Sequence, residues 1–389
     1  MNWNSNSNAS LSSVLKKLQK VANTPFEEAS PIPASTNHSL EFYNQEQKKI
    51  FTKEWICVGR EDEISNIGDY ITHDIAGEPV LIVRQITNEI NAFINACAHR
   101  FTCLVSKTSG RVKTFTCPYH AWTYNLDGTL KRAPFMEMKE GFNLSDHSLK
   151  KLHSEVWEGF IYVTLAESPS KSVNSSLKSL KTKIVGRYDM GRYKTIMRET
   201  MIWKANWKNL IENFIESYHV PIAHQKTFAK HKKPLKDYVC GEDNYNYCYH
   251  YAPQKSETGL GAAHPNNTNL KGEWRRMMVD FCVFPNHLIT LMPDYLWYIS
   301  VQPISIGQFK ATWGFAMPPE NLADISDKDF EKWRSGMLDY MNLANNEDKI
   351  LVEALYSGTS SSNLPMGTFH PIERNLWQFI KYLAKKTLV

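Results

Sequence analysis

Residues 97–120 read CAHRFTCLVSKTSGRVKTFTCPYH and contain the pattern that decides the fold of the first half of the chain. Cys97-Ala98-His99 is followed by seventeen residues and then by Cys117-Pro118-Tyr119-His120. Each of these two segments carries one cysteine and one histidine. We expect each segment to lie at the tip of a hairpin, so that two loops close on one metal centre from opposite sides.

The four side chains suit an iron–sulfur cluster. Two thiolates suit one ferric iron bridged by sulfide, while two neutral imidazoles suit a second iron and raise the reduction potential of the cluster. The alternative is a structural zinc ion with two Cys and two His ligands. Zinc fingers usually pair Cys with Cys and His with His. The mixed pairing here therefore favours an asymmetric two-iron cluster.

A second group of metal-ligating residues lies in the stretch NFIESYHVPIAH, residues 213–224. Glu216 and His219 are three residues apart, so we expect them to share a helix face. Pro221 is expected to end that helix and to let His224 fold back toward His219. Two histidines and one carboxylate on one face of Fe(II) leave positions open for O₂ and substrate.

Two carboxylates are candidates for the third ligand of this iron. One is Glu216 itself. The other is Asp348, which follows Glu347 in a predicted helix over Asp327–Leu355. The residues alone leave this choice open.

The rest of the pattern predicts an α+β protein with two folded parts. Short apolar runs between turn signals, and Asp127-Gly128 as a hairpin turn, indicate a β-rich part that ends with a strand over Val156–Leu165. Strand-like runs between Trp274 and Pro318 and a helix over Trp203–Tyr218 indicate a mixed second part. We predict a polar N-terminal tail and loop over residues 1–38, a β-rich domain over 39–166 and a second domain over 167–389.

Composition excludes several classes of protein. The chain has 389 residues, 42% hydrophobic and 22% charged, which rules out collagen, coiled coil and wholesale disorder. The net charge of +5 is too small to indicate a nucleic-acid partner. No apolar run approaches a membrane span, and the polar N-terminus does not look like a signal peptide, so we expect a cytoplasmic protein. Seven cysteines, an odd number, are expected to be reduced.

Cys97-x-His99-Arg100, taken with Cys117-Pro118-Tyr119-His120-x-Trp122-x-Tyr124, resembles the cluster motif of the Rieske non-heme iron oxygenases, the terminal (alpha) components of ring-hydroxylating systems. Ala121 stands where the family commonly has Gly. The resemblance implies a β-rich Rieske [2Fe-2S] domain. It also implies a catalytic domain of the helix-grip type, in which helices flank an antiparallel sheet.

The resemblance also implies roles for individual residues. The second iron would be a mononuclear Fe(II) held by His219, His224 and Asp348, and Glu216 would bridge by hydrogen bonds to a cluster histidine of the next subunit. Many members have Asp at the position of Glu216. A Glu at this position resembles the Glu found in relatives that act on choline, carnitine and betaine-like substrates. The cluster ligands would be Cys97, His99, Cys117 and His120.

The function implied is a terminal oxygenase that hydroxylates or N-demethylates a small quaternary ammonium compound, more as a monooxygenase than as a dioxygenase. The alternatives are dihydroxylation or O-demethylation of an aromatic compound and, outside enzymes, a Rieske electron carrier. Partners would be O₂, the substrate and a separate reductase or ferredoxin, with electrons ultimately from NAD(P)H, since the chain lacks a nucleotide-binding glycine fingerprint. The family's head-to-tail packing implies a homotrimer.

A run of lysines and a set of aromatic residues are further candidates for functional roles. The lysines after the iron histidines form either a solvated loop or a docking surface for an acidic redox partner: Lys226, Lys230, Lys232, Lys233 and Lys236. Aromatic residues on the predicted strands of the second domain are candidates to line a substrate pocket, as a cage for a trimethylammonium group or a cradle for a flat ring: Trp274, Phe281, Phe284, Tyr295, Trp297, Tyr298 and Trp313.

Overall fold

The structure is a computed structural model of the chain, and it describes residues 9–231, 235–254, 260–323, 325–361, 363–365 and 367–388. The chain divides into two compact units by its internal contacts. The main unit combines the N-terminal segment up to Ile50 with everything from Ser176 onward. The insert unit is the continuous segment Phe51–Ser175.

The N-terminal segment of the main unit is helical. It contains α1 (Leu11–Asn23), α2 (Ser35–His38) and α3 (Leu40–Glu46). The prediction of a polar tail and loop over residues 1–38 is therefore wrong for α1, which buries Val14, Leu18 and Val21. Spacings of four and three residues place these three side chains on one helix face. The many Asn and Ser residues before α1 make the composition of this segment polar, so composition alone does not reveal the apolar face of the helix.

The insert unit is rich in β-structure, as predicted. Seven strands form one sheet in the order β1-β10-β9-β4-β3-β2-β5, and three short strands form a second sheet in the order β6-β7-β8. The elements are β1 (Ile56–Arg60), β2 (Asp69–Ile75), β3 (Glu78–Arg84), β4 (Ile90–Ile94), β5 (Ser109–Arg111), β6 (Phe115–Thr116), β7 (Thr123–Tyr124), β8 (Leu130–Arg132), β9 (Lys151–Trp157), β10 (Phe160–Thr164) and α4 (Val173–Ser176).

The C-terminal part of the main unit combines a seven-stranded antiparallel sheet, in the order β11-β17-β16-β15-β14-β13-β12, with helices. The predicted α+β fold is confirmed, including four strands between residues 277 and 317 and a long late helix. The elements are α5 (Lys178–Lys183), β11 (Lys194–Trp203), α6 (Trp207–Phe214), α7 (Val220–Ala223), β12 (Val239–Cys240), β13 (Tyr247–Pro253), β14 (Met277–Val283), β15 (His287–Leu291), β16 (Leu296–Ser305), β17 (Gln308–Met317), α8 (Pro319–Ala323), α9 (Asp327–Gly358) and α10 (Arg374–Thr387).

Contacts also place the segment before the insert unit differently from the sequence prediction. We expected a domain boundary at residue 39, yet residues 39–50 group with the main unit. Phe42 and Ile50 are both fully buried there. The returning end of the insert unit lies at Ser175 in the contact division, beyond the predicted boundary at 166.

Two other predictions concern membrane spans and the lysine run after His224. Among the described helices, none is both long enough and apolar enough to cross a membrane. The lysine run after the iron histidines includes Lys232 and Lys233, which lie outside the described residues. The choice between a solvated loop and a docking surface therefore stays open.

Candidate metal centres

The two Cys-His segments of the insert unit form loops with the same hydrogen bonds. In the first loop, Cys97 N–H donates to the Thr102 carbonyl at 2.9 Å and Phe101 N–H donates to the Cys97 carbonyl at 2.9 Å. In the second, Cys117 N–H donates to the Trp122 carbonyl at 2.8 Å and Ala121 N–H donates to the Cys117 carbonyl at 3.1 Å. The fifth residue of each loop has a positive φ, 63° at Phe101 and 56° at Ala121. Two equivalent loops thus present one Cys and one His each.

Only one of these loops lies at a hairpin tip. The second loop joins β6 to β7, which pair with each other. The first loop leaves β4, and the next strand, β5, pairs with β2 instead. The expectation of two hairpin tips is therefore wrong for the first loop, because the long stretch after it crosses to another strand of the sheet.

The cysteines and histidines of the two loops separate into a buried pair and a more exposed pair. Cys97 and Cys117 are buried, with Tyr124 Oη 3.2 Å from Cys97 Sγ. The rings of His99 and His120 lie 4.7 Å apart and reach the surface of the unit. The His99 ring also stacks on Trp122 at 4.7 Å. A thiol pair inside and an imidazole pair outside suit the two ends of a two-iron cluster.

The main unit brings together the second predicted group. Within the described ranges, His219, His224 and Asp348 are the one set of three or more Cys, His or acidic residues whose ligand atoms all lie within 4.8 Å of one another. Asp348 Oδ1 is 3.1 Å from His224 Nε2 and 3.5 Å from His219 Nε2. The four cysteines and histidines of the two loops in the insert unit, all of them described, do not form such a set.

The local backbone differs from the predicted helix. Asn206 caps α6 by accepting from Lys208 N–H at 3.2 Å, and α6 ends at Phe214. Glu216 and His219 lie in the link between α6 and α7, so the expectation that they share a helix face is wrong. Pro221 does not end a helix either: it lies in the first turn of α7, where its missing N–H leaves no hydrogen bond unmade.

Glu216 nevertheless meets His219, by another route. Its carboxylate accepts hydrogen bonds from the backbone N–H groups of Tyr218 and His219, which turns the chain at the start of α7. The other carboxylate oxygen contacts His219 Nδ1.

The second imidazole ring also has a carboxylate at its Nδ1 atom. Glu347, the neighbour of Asp348 in the sequence, places Oε2 3.0 Å from His224 Nδ1. With both Nδ1 atoms engaged, both Nε2 atoms are left to face Asp348.

The charges of this group favour a cation. Burial alone lowers the pKa of His219, but hydrogen bonds to Asp348 and Glu216 raise it to about 10. Burial alone raises the pKa of Asp348, yet hydrogen bonds to the two histidines hold it below its usual value. The buried Asp348 Oδ1 faces the two imidazole Nε2 atoms, and no other donor of the described residues reaches it. Two imidazole nitrogens and a buried carboxylate oxygen at one point fit a non-heme Fe(II) ion.

A cavity of about 390 Å³ lies over this group in the main unit. This volume suits a small organic molecule. Of the seven aromatic residues expected as candidates, only Tyr295 and Trp297 line the cavity. Phe281 and Tyr298 are one position out of phase on their strands, and neighbouring residues of a strand point to opposite faces. Five aromatic residues that were not among the sequence candidates also line it: Phe214, Phe228, Tyr238, Phe315 and Tyr340.

Comparison with known protein families gives two matches. Residues 189–388 match the family described as "Ring hydroxylating alpha subunit (catalytic domain)". Residues 54–150 match the family described as "Rieske [2Fe-2S] domain". The first match covers about half of the chain and contains His219, His224 and Asp348. The second contains both Cys-His loops.

Individual relatives are similar over part of their length. The chain is 34% identical over 199 residues to the carnitine monooxygenase oxygenase subunit of Escherichia coli (strain K12), which is 51% of this chain and 53% of that protein. It is 38% identical over 196 residues to the glycine betaine monooxygenase oxygenase subunit of Chromohalobacter salexigens. This region is 48% of this chain and 43% of that protein. The chain thus spans about half the length of these relatives.

The fold is also that of a solved structure. A quaternary ammonium Rieske monooxygenase in complex with an inhibitor superposes with a TM-score of 0.80 at 24% identity, covering 95% of this chain and 98% of that one. The likeness extends over both units of the chain. With the family matches and the two groups of metal-ligating residues, it leads to one assignment: the chain belongs to the ring-hydroxylating alpha-subunit family, with that family's catalytic domain and a Rieske [2Fe-2S] domain.

Proposed function

We propose that the protein is the terminal oxygenase of a multicomponent system that hydroxylates a small quaternary ammonium compound. One observation carries the proposal: a chain with a Rieske domain also brings His219, His224 and Asp348 together over a cavity. An electron carrier needs only the first of these. The similarity to subunits of carnitine and glycine betaine monooxygenases supports the substrate class.

The reaction balances as a monooxygenation. Substrate, O₂, two electrons and two protons give the hydroxylated substrate and water. If the carbon attacked is an N-methyl group, the product is a hemiaminal, which releases formaldehyde and leaves a demethylated amine. When bound, the iron ion would supply O₂ activation and the cluster would supply the second electron. NAD(P)H would be the ultimate electron source, through a separate reductase or ferredoxin.

The residues of the chain have separable roles in this proposal. His219, His224 and Asp348 hold the iron, and the carboxylates of Glu216 and Glu347 fix the two imidazole rings. Cys97, His99, Cys117 and His120 hold the cluster. The aromatic walls of the cavity exclude water and present ring faces to a trimethylammonium group.

We also propose that the chain forms a homotrimeric ring in which Glu216 links His219 to a cluster histidine of the next subunit. The support is that Glu216 contacts His219 Nδ1 and that the cluster histidines lie at the surface of the insert unit. The Cys-His loops also expose Phe101, 80% accessible, and Tyr119, 55% accessible. Exposed apolar side chains of this kind suit a subunit interface.

The first test is metal content and turnover of the purified protein. We expect about three irons and two labile sulfides per chain, and formaldehyde release with O₂ uptake when the reduced protein meets choline, carnitine or glycine betaine. His219→Ala should lose one iron and all turnover but keep the visible absorbance of the cluster. The control, His153→Ala, changes a histidine outside both groups. Two irons per chain and no turnover would favour the electron carrier.

Glu216→Gln tests the proposed bridge. The amide keeps the shape of the side chain but removes its charge, so both metals should stay bound. We expect substrate-dependent reoxidation of the reduced cluster in a single turnover to slow by at least about tenfold. Unchanged reoxidation would remove the bridging role while leaving the metal assignments in place.

An aromatic substrate is the second candidate. The observation that favours it is the cavity lining, where Phe214, Trp297 and Phe315 offer faces to a flat ring as well as to a cation. A diol or a phenol formed from an arene, with no formaldehyde from any amine, would support this alternative.

A further inference from the structure

One row of side chains crosses the sheet of the main unit. His250, Asp280, Thr290, Trp297 and Phe315 are directly paired from strand to strand across β13, β14, β15, β16 and β17. All but His250 line the cavity over the proposed iron site. The register therefore fixes one carboxylate and two aromatic rings on the cavity wall.

Asp280 is the carboxylate in this row. Thr290 Oγ1 donates to Asp280 Oδ1 at 2.5 Å, and His250 Nε2 lies 3.2 Å from Asp280 Oδ2. The other two carboxylates of the cavity wall, Glu216 and Asp348, are occupied with the histidines of the iron site. Asp280 is thus the acidic group of the described wall that the proposed chemistry does not use.

Hydrogen bonds hold His250 in place behind Asp280. Asn375 Nδ2 donates to the Ile215 carbonyl at 3.1 Å and lies 3.2 Å from His250 Nδ1. At the other ring nitrogen, His250 Nε2 lies 2.8 Å from Ser217 Oγ and 3.2 Å from Asp280 Oδ2. These contacts fix the position of the Asp280 carboxylate on the cavity wall.

The row leaves a place for a cation beside Asp280. Thr290, between Asp280 and Trp297, is the smallest side chain of the row. Paired strands lie about 4.8 Å apart, so Asp280 and Trp297 stand about 10 Å from each other at the backbone. A cation above Thr290 contacts the carboxylate on one side and the indole face on the other. Among the described residues of the cavity wall there is no Lys or Arg to pair with a substrate carboxylate.

We propose that Asp280 is the specificity-determining residue of the cavity and that it selects a substrate with a net positive charge, a choline-like alcohol or amine, over zwitterions such as betaines. The inference rests on the proposed function, since it concerns the substrate of the same site. It deepens that function by naming a charge class. A zwitterion would place its carboxylate in the same cavity as Asp280, with no Lys or Arg among the described wall residues to offset the repulsion.

Calorimetric binding to the intact holoprotein tests the inference with three ligands. Choline carries the charge, 3,3-dimethylbutan-1-ol has the same shape without charge, and glycine betaine adds a carboxylate. We expect choline to bind at least about tenfold more tightly than either of the other two. In Asp280→Asn the preference for choline over the neutral alcohol should fall below about threefold. The control is Asp294→Asn, a buried aspartate that does not line the cavity, and it should keep the preference.

Equal binding of choline and the neutral alcohol to the unaltered protein would overturn the inference, and so would equal binding of choline and glycine betaine. An equal loss of both choline and the alcohol in Asp280→Asn would also overturn it. If this variant loses its cluster absorbance, the three-ligand comparison on the unaltered protein decides alone. Iron and labile sulfide content report separately on the proposed function. Three irons per chain without a preference for choline would contradict only the role of Asp280. A preference for choline in a protein without iron would contradict only the proposed oxygenase function.

Discussion

His224 is held by two neighbouring residues of one helix. Glu347 Oε2 lies at its Nδ1, and Asp348 Oδ1 lies at its Nε2. Glu347 also accepts from Thr227 Oγ1 and from the Lys226 backbone N–H. The resemblance implies Asp348 as an iron ligand, whereas nothing in the sequence assigns a role to Glu347. Adjacent acids on a helix usually mark a solvated face, and only the fold shows that both point at one ring.

Replacing Glu347 should loosen the iron while sparing the cluster. Loss of the acceptor at Nδ1 frees the imidazole ring of His224 and lowers its basicity, which costs roughly 10–100-fold in metal affinity. We expect Glu347→Ala to release iron at a correspondingly lower chelator concentration, with unchanged cluster absorbance. Glu331→Ala, at an exposed position of the same helix, is the control. Equal iron retention in both variants would argue against the orienting role.

Glu212 makes stability depend on pH. Burial raises its pKa to about 7 against an ordinary value of 4.5, despite the charge of Lys208. Between pH 4.5 and about 7 the unfolded chain loses this proton before the folded one does, so the contribution of Glu212 to stability falls as pH rises and is level above about 7.

Glu212→Gln should therefore gain stability relative to the unaltered protein as pH rises through that window. The gain is up to about 3 kcal/mol, because one pKa unit corresponds to about 1.4 kcal/mol. Denaturant unfolding of both proteins at a series of pH values measures it. Glu273→Gln, at an exposed position, should show no such trend. A constant difference between Glu212→Gln and the unaltered protein would contradict the assignment.

At the scale of elements, the twin Cys-His loops explain a departure from the family pattern. Ala121 has a φ of 56°, a left-handed conformation that favours Gly. The family commonly has Gly at this position, and the sequence analysis could name the substitution but not its cost. The backbone conformation supplies the reason, because a Cβ at positive φ costs roughly 1–2 kcal/mol.

Ala121→Gly should therefore stabilise the second loop. The relief of strain exceeds the added flexibility of Gly, and a net gain of about 1 kcal/mol should raise the temperature at which cluster absorbance is lost by roughly 2–4 °C. Ala98→Gly, in the twin loop but without a positive φ, should lower that temperature. If both changes lower it, the loop is not strained at Ala121.

The element predictions succeeded where long periodic patterns exist and failed at short links. Four strands of the main sheet, β14 to β17, and α9 were predicted to within a few residues, whereas β11, β12 and β13 were not predicted. The link between α6 and α7 was predicted as helix because its apolar residues continue the helical spacing. There the carboxylate of Glu216 competes for backbone N–H groups, and sequence periodicity does not register such a contact.

At the scale of the whole molecule, the chain returns to a unit that it has left. The main unit is built from both ends of the sequence, and Phe51–Ser175 interrupts it. The sequence pattern predicts two successive domains because changes of composition are visible along the chain, whereas contacts between its two ends are not. The proposed cluster ligands could be named from the sequence because they lie in two short loops. The cavity wall could not be predicted, because side chains from the four strands β14 to β17 and from α6, α7 and α9 build it.

The proposed electron transfer between subunits predicts complementation between two inactive chains. Cys97→Ser should lack the cluster, and His219→Ala should lack the iron. In a ring assembled from both by co-expression, about one quarter of the contacts join an intact cluster to an intact iron site of the neighbour. We expect roughly that fraction of normal turnover, measured as formaldehyde release. Mixing the separately purified variants is the control. No activity in the co-expressed rings would place the electron route elsewhere.

The packing of α1 against α10 also has a consequence for synthesis on the ribosome. The two helices lie within one unit but at opposite ends of the sequence. Translation proceeds at about 5–20 residues per second, so α1 emerges roughly 20–70 seconds before its partner exists. During that time α1 has only α2 and α3 to contact and lacks the surface that α10 provides, whereas the insert unit is completed at Ser175, well before α10. We therefore expect α1 to reach its final packing only after the insert unit has been made.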